Sequence, residues 1–188
     1  MQTVLFHSVI FGPIRSRRLG NSLGVNLSPV DGKICSFDCL YCEAGFNAQG
    51  PGTSGLPSRE EVRRQLDEKL SQMKADGQPL DVITFSGNGE PTLHPDFEGI
   101  IDDTLALRDR YFPQVKVSVL SNSTRLHDER VVRALRRVDN NILKLDSAVD
   151  ATMRIIDRPA SPDFTVRRAI EGIAQFAGKA IAQTMLLR

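Results

Sequence analysis

The sequence predicts an α/β fold, a partial (β/α) barrel of about five parallel strands, and three observations carry that reading. Short apolar runs alternate with amphipathic helical stretches, the pattern of a parallel sheet with right-handed crossovers. Residues suited to chemistry follow the C-terminal ends of the predicted strands, the end that carries the active site in barrels. The only cysteines, Cys35, Cys39 and Cys42, share one short loop behind the first of those strands. A doubly wound sheet would have the same element order but would gather its ligand at a single switch point.

The elements follow in order. Residues 23–27 are short and apolar, end in Ser28-Pro29, and read as the first strand. Ser58-Arg-Glu-Glu61 has capping-box spacing, and Val62, Leu66, Leu70 and Met73 then mark one helical face. Residues 81–86 are a second strand, followed by Gly87-Asn88-Gly89-Glu90-Pro91. Pro95 suits a first helical turn, with Phe97, Ile100, Ile101 and Leu105 continuing a buried stripe. Residues 115–120 make a third strand with Ser121-Asn122-Ser123 as its exit. A helix over 128–138 turns Val131, Val132 and Leu135 inward, and residues 142–145 lead into Asp146-Ser147. Ser161-Pro162 starts a fourth helix, with Val166, Ala169, Ile170, Ile173 and Phe176 inside and Gly178 as C-cap. Residues 180–187 read as a fifth strand. With no helix to cover that strand, the expectation is one core domain over 1–188, an N-terminal segment 1–22 and barrel units 23–188, incomplete at its C-terminus.

Composition bounds the function. At 188 residues and 40% apolar, the chain can bury one core. Lys+Arg of 24 against Asp+Glu of 23 leaves +1, so nucleic-acid contact would need a local patch. No apolar run is long enough to cross a bilayer. The opening Met1-Gln-Thr-Val-Leu-Phe lacks the basic start of a signal peptide, so the expected location is cytoplasmic. An odd cysteine count in one loop argues for reduced thiols, not a disulfide framework.

The spacing Cys35-x3-Cys39-x2-Cys42 offers three thiolates, whereas a structural cluster or zinc site normally closes with four ligands. Three suggest a metal centre that leaves one position for its own substrate. The alternative is a Cys3His zinc site completed by His94 or His127, neither at a short ligand spacing from the loop.

The triplet, with Tyr41 just before the third cysteine, resembles the signature of radical S-adenosylmethionine (radical SAM) enzymes. The run Phe11-Gly-Pro-Ile-Arg-Ser-Arg-Arg-Leu-Gly20, Ser22-Leu-Gly-Val25 and Phe85-Ser-Gly-Asn-Gly-Glu-Pro-Thr92 are similar to the Fe–S oxidoreductases related to wyosine-type tRNA-modifying enzymes. This resemblance implies a radical SAM type of partial barrel. It also implies a [4Fe–4S] cluster on Cys35, Cys39 and Cys42, with S-adenosylmethionine on the open iron. Reductive cleavage would then yield a 5′-deoxyadenosyl radical that abstracts hydrogen from substrate, the protein supplying placement and exclusion of water. A one-electron donor such as flavodoxin or ferredoxin is implied, and a tRNA base or other nucleotide as substrate. An activase of a partner protein, or a metal-stabilised RNA-binding module without catalysis, are the other readings.

The resemblance also assigns residues. Phe37, Leu40 and Tyr41 would make a dry wall, with the backbone at Tyr41 meeting the adenine. Gly87, Asn88, Gly89 and Glu90 match the family's glycine–glutamate segment. There glycines allow close approach and Glu90 accepts from the ligand's ammonium group; Asn88 stands where many members have glycine. Asn122 would meet the ligand's polar end and Asp146 its ribose, although both residue types also cap loops. Lys144, between Leu143 and Leu145, would face the lumen and need a partner such as Asp146 or Glu90. Arg15, Arg17 and Arg18 could clamp RNA phosphates or be merely solvated. Arg133, Arg136 and Arg137 are expected to be solvated; His7, His94 and His127 receive no role. Residues 49–55, rich in glycine, read as a flap beside the cluster.

Overall fold

In the computed structural model, which describes residues 3–187, six strands form one sheet in strictly sequential order. Met1 and Gln2, part of the opening read for a leader, lie outside the described residues. The strands are β1 (Ile10–Ser16), β2 (Gly20–Val25), β3 (Val82–Phe85), β4 (Lys116–Ser121), β5 (Asn140–Lys144) and β6 (Ala180–Gln183). From β2 to β6 every pairing is parallel, giving the five parallel strands expected. A doubly wound sheet reverses its strand order at the switch point. This one never reverses, so its crossovers advance in a single direction and lay their helices on one face. The result is an open partial barrel with a convex, helix-covered side and a bare concave side.

Alternation along each strand divides the two sides. Leu23, Val25, Ile83, Phe85, Val117, Val119 and Leu143 enter the convex core. There they meet Leu66, Leu70 and Met73 of α1 (Arg59–Ala75), and Phe97, Ile100 and Ile101 of α2 (Phe97–Tyr111). Val131, Val132 and Leu135 of α3 (Glu129–Leu135) complete the layer. Ser58 caps α1 by accepting from the Glu61 amide, as its spacing predicts. One row of the concave face is polar: the hydroxyls of Ser22 and Thr84 bond at 2.7 Å, and Asn140 Nδ2 donates to Ser118 Oγ at 2.8 Å.

Several expectations are corrected. The expected N-terminal segment contributes an edge to the sheet: β1 pairs antiparallel with β2, which begins at Gly20. The Gly12-Pro13 pair, which hides this strand in the sequence, is tolerated because β1 is an edge and bulges between Phe11 and Ile14. Helix α2 starts at Phe97 with Asp96 as N-cap, so Pro95 precedes it; Pro91 opens a separate 3₁₀ turn, Pro91–Leu93. A short helix α4 (Asp150–Ile156), with only Met153 buried, has too little apolar stripe to read from sequence. Helix α5 (Val166–Ala174) is capped by Thr165, not Ser161, and ends before Gly178. Its Gly172 lies so close to Leu126 that the inward stripe runs 166–169–172–176, leaving Ile170 46% exposed. The 49–55 segment is tied down: Asp31 accepts from both the amides and the hydroxyls of Thr53 and Ser54. Arg133 and Arg137 pair with Glu98 and Asp102 of α2, and Arg136 donates to the Gln175 carbonyl. No helix among the described residues is long and apolar enough to cross a membrane.

Candidate metal centre and cofactor cavity

The cysteine loop has little regular structure and is held by three struts. Ile34 bridges to Gly89 as a short parallel pair, with Ile34 N donating to the Asn88 carbonyl and Glu90 N to the Ile34 carbonyl. A Cβ on Gly89 would drive into the Ile34 carbonyl oxygen, so the approach requires glycine. Behind the loop, the segment after α4 supplies the second strut. Asp38 N donates to the Asp157 carbonyl, Leu40 N to that of Ile156, and Ala160 N to that of Ser36. Asn47 forms the third, its side chain donating to the Cys35 and Phe37 carbonyls while its amide donates to Asp38 Oδ1.

So held, Cys35, Cys39 and Cys42 line one cavity of about 500 Å³ at the C-terminal ends of β3 to β6. Gly87, Gly89, Glu90, Asn122, Lys144 and Asp146 line it too, so most of the residues singled out in the sequence converge. No three His, Cys, Asp or Glu side chains among the described residues converge tightly enough to grip one metal ion. Three thiolates on one cavity wall suit a cubane, in which each would take a different iron. His94 offers no fourth ligand. Its Nε2 lies 2.8 Å from the Pro57 carbonyl and its Nδ1 accepts from the Asp96 amide, while His127 lines a separate outer groove. Burial pushes the Cys35 thiol up to about 11 and Cys39 to about 12, so protons leave when a metal takes their place.

Glu90 is buried, its Oε1 accepting from the amide and hydroxyl of Thr92 and its Oε2 from the Asn122 amide at 2.6 Å. Burial raises its pKa against those bonds, so an incoming cation would favour the ionised form. Asn122 holds the loop itself, donating to Ser36 Oγ at 2.9 Å and Cys35 Sγ at 3.5 Å. Asp146 is similarly engaged, accepting from Tyr41 Oη, Lys144 Nζ and the Met185 amide. Burial opposes its ionisation, but these donors outweigh it and hold the carboxyl below the usual range. Lys144 thus finds the partner its lumen position demands, and also reaches Asp157 at 3.8 Å. Burial, and then the neighbouring Asp146, push Asp157 up to about 7.

Asn88 does something the sequence did not suggest. It is fully buried and does not line the cavity. Its Oδ1 accepts from Phe6 N at 2.8 Å, and its Nδ2 donates to the Phe6 and Pro29 carbonyls at 2.9 Å. This clamps the N-terminal segment over the site, so Val4 and Phe6 form a cavity wall, with Phe6 stacked on Phe11 at 3.8 Å. Phe11 lies across Gly24, where any Cβ would displace the ring. Of the expected dry wall, Phe37 and Tyr41 line the cavity and Leu40 does not. Asp157 and the N-terminal wall were missed because neither has a local sequence signal; each is defined by contacts more than 80 residues away.

The family model described as the Radical SAM superfamily matches residues 30–183, and the chain belongs to this superfamily. Members bind a [4Fe–4S] cluster and S-adenosylmethionine. A UPF0026 protein of Helicobacter pylori is 31% identical over 184 residues, covering 96% of this chain and 56% of that protein. One from Methanocaldococcus jannaschii is 31% identical over 185 residues, covering 96% and 54%. The chain thus spans about half the length of these relatives. Among solved structures, native anSMEcpe with bound AdoMet superposes with a TM-score of 0.60 at 18% identity, over 86% of this chain and 42% of that one. TYW1 with a lysine-pyruvate adduct bound gives 0.54 at 15%, over 89% and 56%. These two share the fold.

Proposed function

We propose that this chain is the core domain of a radical SAM enzyme whose substrate is a tRNA base or another nucleotide. The convergence of Cys35, Cys39 and Cys42 on one cavity with Glu90 carries the reading. Cys35, Cys39 and Cys42 would hold the cluster, and Glu90 with the Gly87 and Gly89 backbone would receive the amino-acid end of S-adenosylmethionine. Bound there and reduced, such a cluster would supply the one electron for reductive cleavage of S-adenosylmethionine to methionine and a hydrogen-abstracting 5′-deoxyadenosyl radical.

The protein's own part is placement and dryness. Phe37 and Phe6 present apolar surface to the cavity and exclude water from one side. Tyr41 keeps its proton, because burial and its bond to Asp146 both raise its pKa, so the hydroxyl remains a donor at the cofactor wall. The electron would come from a flavodoxin or ferredoxin. Both the nucleotide substrate and the relation to wyosine-type enzymes rest on the sequence resemblance and on the fold shared with TYW1. The zinc-stabilised alternative is disfavoured by the filled valences of His94.

Anaerobic reconstitution with iron and sulfide tests the reading. Near four irons per chain, and 5′-deoxyadenosine on adding dithionite and S-adenosylmethionine, are expected, both lost in Cys39→Ala. One zinc per chain and no cleavage product would overturn it.

A further inference from the structure

The concave side carries a second cavity, about 980 Å³, toward the N-terminal ends of the strands. It shares Arg18, Leu120, Gln183 and Thr184 with the cysteine cavity, so the two form one continuous trough. Its lower end is cationic. Arg17, Arg18 and Lys116 line it against one carboxylate, Asp81, whose Oδ2 already accepts from the Asn21 amide at 2.7 Å.

These cations differ from those of the convex side. There Arg59 pairs with Asp103, Arg133 with Glu98, and Arg108 with Asp139. Arg17, Arg18 and Lys116 hold no carboxylate among the described residues. Unpaired cations in a trough raise the local concentration of anions, and guanidinium grips phosphate through two parallel hydrogen bonds.

Between the cationic end and the cysteines lies an apolar band. Leu120 pairs in register with Ile142, and Ile142 with Ile181, all three on the concave face. The step from Lys116 to Leu120 is about 13 Å at roughly 3.3 Å per residue. That is room for a flat apolar ring on the band with an anionic group beyond it.

We infer that Arg17, Arg18 and Lys116 form a phosphate subsite for a nucleotide whose base lies on Leu120, Ile142 and Ile181. The inference rests on the proposed nucleotide chemistry and names the part of the substrate that this site grips. It also divides the arginine run of the sequence. Arg15 pairs with Asn21, one residue out of phase with Ser22, whose hydroxyl meets Thr84 on the concave face. Arg15 therefore turns to the opposite side and takes no part, while Lys116, 98 residues beyond Arg18 in the chain, joins instead.

The phosphate can belong to a free nucleotide or to an RNA chain, and binding distinguishes them. The probes are the four ribonucleoside 5′-monophosphates, the four nucleosides, and a twelve-nucleotide single-stranded RNA of mixed sequence, all measured by calorimetry. At least one phosphate-bearing probe should bind about tenfold tighter than its nucleoside, as charge-assisted bonds allow. Arg17→Ala/Lys116→Ala should erase that preference, and Arg15→Ala should leave it intact. Tight RNA with indifferent mononucleotides assigns the phosphate to a chain, and the double variant should then lower the salt slope by about 0.7 per lost contact. No preference for phosphate in either arm, or equal losses in Arg15→Ala, overturns the subsite. Iron content and 5′-deoxyadenosine formation on the same preparations report separately on the enzyme reading. Cleavage without phosphate preference sinks the subsite alone; phosphate preference without a cluster sinks the enzyme reading alone.

Discussion

Ile83 and Phe85 turn from β3 into the convex layer, while Val82 and Thr84, one residue out of phase, turn into the concave trough. The same strand serves two environments, and they are held together differently. On the convex side many interchangeable apolar contacts between sheet and helices share the load. On the concave side a few polar groups, each with specific partners from distant segments, decide what the trough can hold. A loss on the first side should therefore appear as global stability, and on the second as local charge balance.

The largest expected effect belongs to the convex side. Phe85 is fully buried and meets Phe97 edge-on with ring centroids 6.3 Å apart. Phe85→Ala should cost about 3–5 kcal/mol of unfolding free energy by denaturant titration. A cost below about 1 kcal/mol would mean that the helix layer is not the main source of stability.

Next comes the concave side's charge balance. Among the described residues, Lys144 is the one counter-ion within 4 Å of both Asp146 and Asp157. Lys144→Met keeps the stem but leaves two acids facing one another. Because the ammonium is partly exposed, the expected cost is about 2 kcal/mol, below that of a fully buried pair. Adding Asp157→Leu should recover most of it, since the excess negative charge is then removed. If the single and double variants are equally destabilised, Lys144 acts through packing and the contrast between the faces weakens.

The same contrast explains what the sequence could reveal. The convex stripes of α1, α2 and α3 and the parallel strands follow apolar periodicity, so Leu66, Ile100 and Val132 were legible one by one. The cysteine triplet was legible because its three residues share one short stretch of chain. Lys144 with Asp146 was legible because alternation fixes their side of β5. The clamp from Asn88 to Phe6, the bracing of the cysteine loop by residues 156–160, and Lys116 at the trough mouth were not legible. Each arises when distant segments meet, and none alters the local pattern. The hairpin of β1 was hidden for another reason: its Gly12-Pro13 reads as a break everywhere except at a sheet edge.

The convex side has one misfit. Asn141 shares the face of Leu143, is buried, and neither its Oδ1 nor its Nδ2 finds a hydrogen-bond partner. Burying an amide without partners is costly, and leucine keeps the same branching with apolar atoms only. Asn141→Leu should stabilise the fold by about 1 kcal/mol. Destabilisation would show that the amide is satisfied by solvent reaching between β5 and β6, and that the convex layer is open there.

The smallest effect concerns the rim of the convex layer. Asp128 caps α3 by accepting from the Arg130 amide at 3.0 Å, and its carboxylate also pairs with Arg125 and Arg130. The Arg130 side chain, then its amide and charge, hold the carboxyl down at about 2, against an ordinary value of 3.8. A carboxyl held below its unfolded value adds stability in full above that value and loses it as pH falls from about 4 toward 2. Asp128→Ala should cost about 0.5–1 kcal/mol near neutrality, the usual size of a lost N-cap. The difference between wild type and variant should shrink below pH 4, where the native carboxyl begins to protonate. A difference that stays constant down to pH 2 would show that Asp128 contributes shape at the helix start, with its charge immaterial.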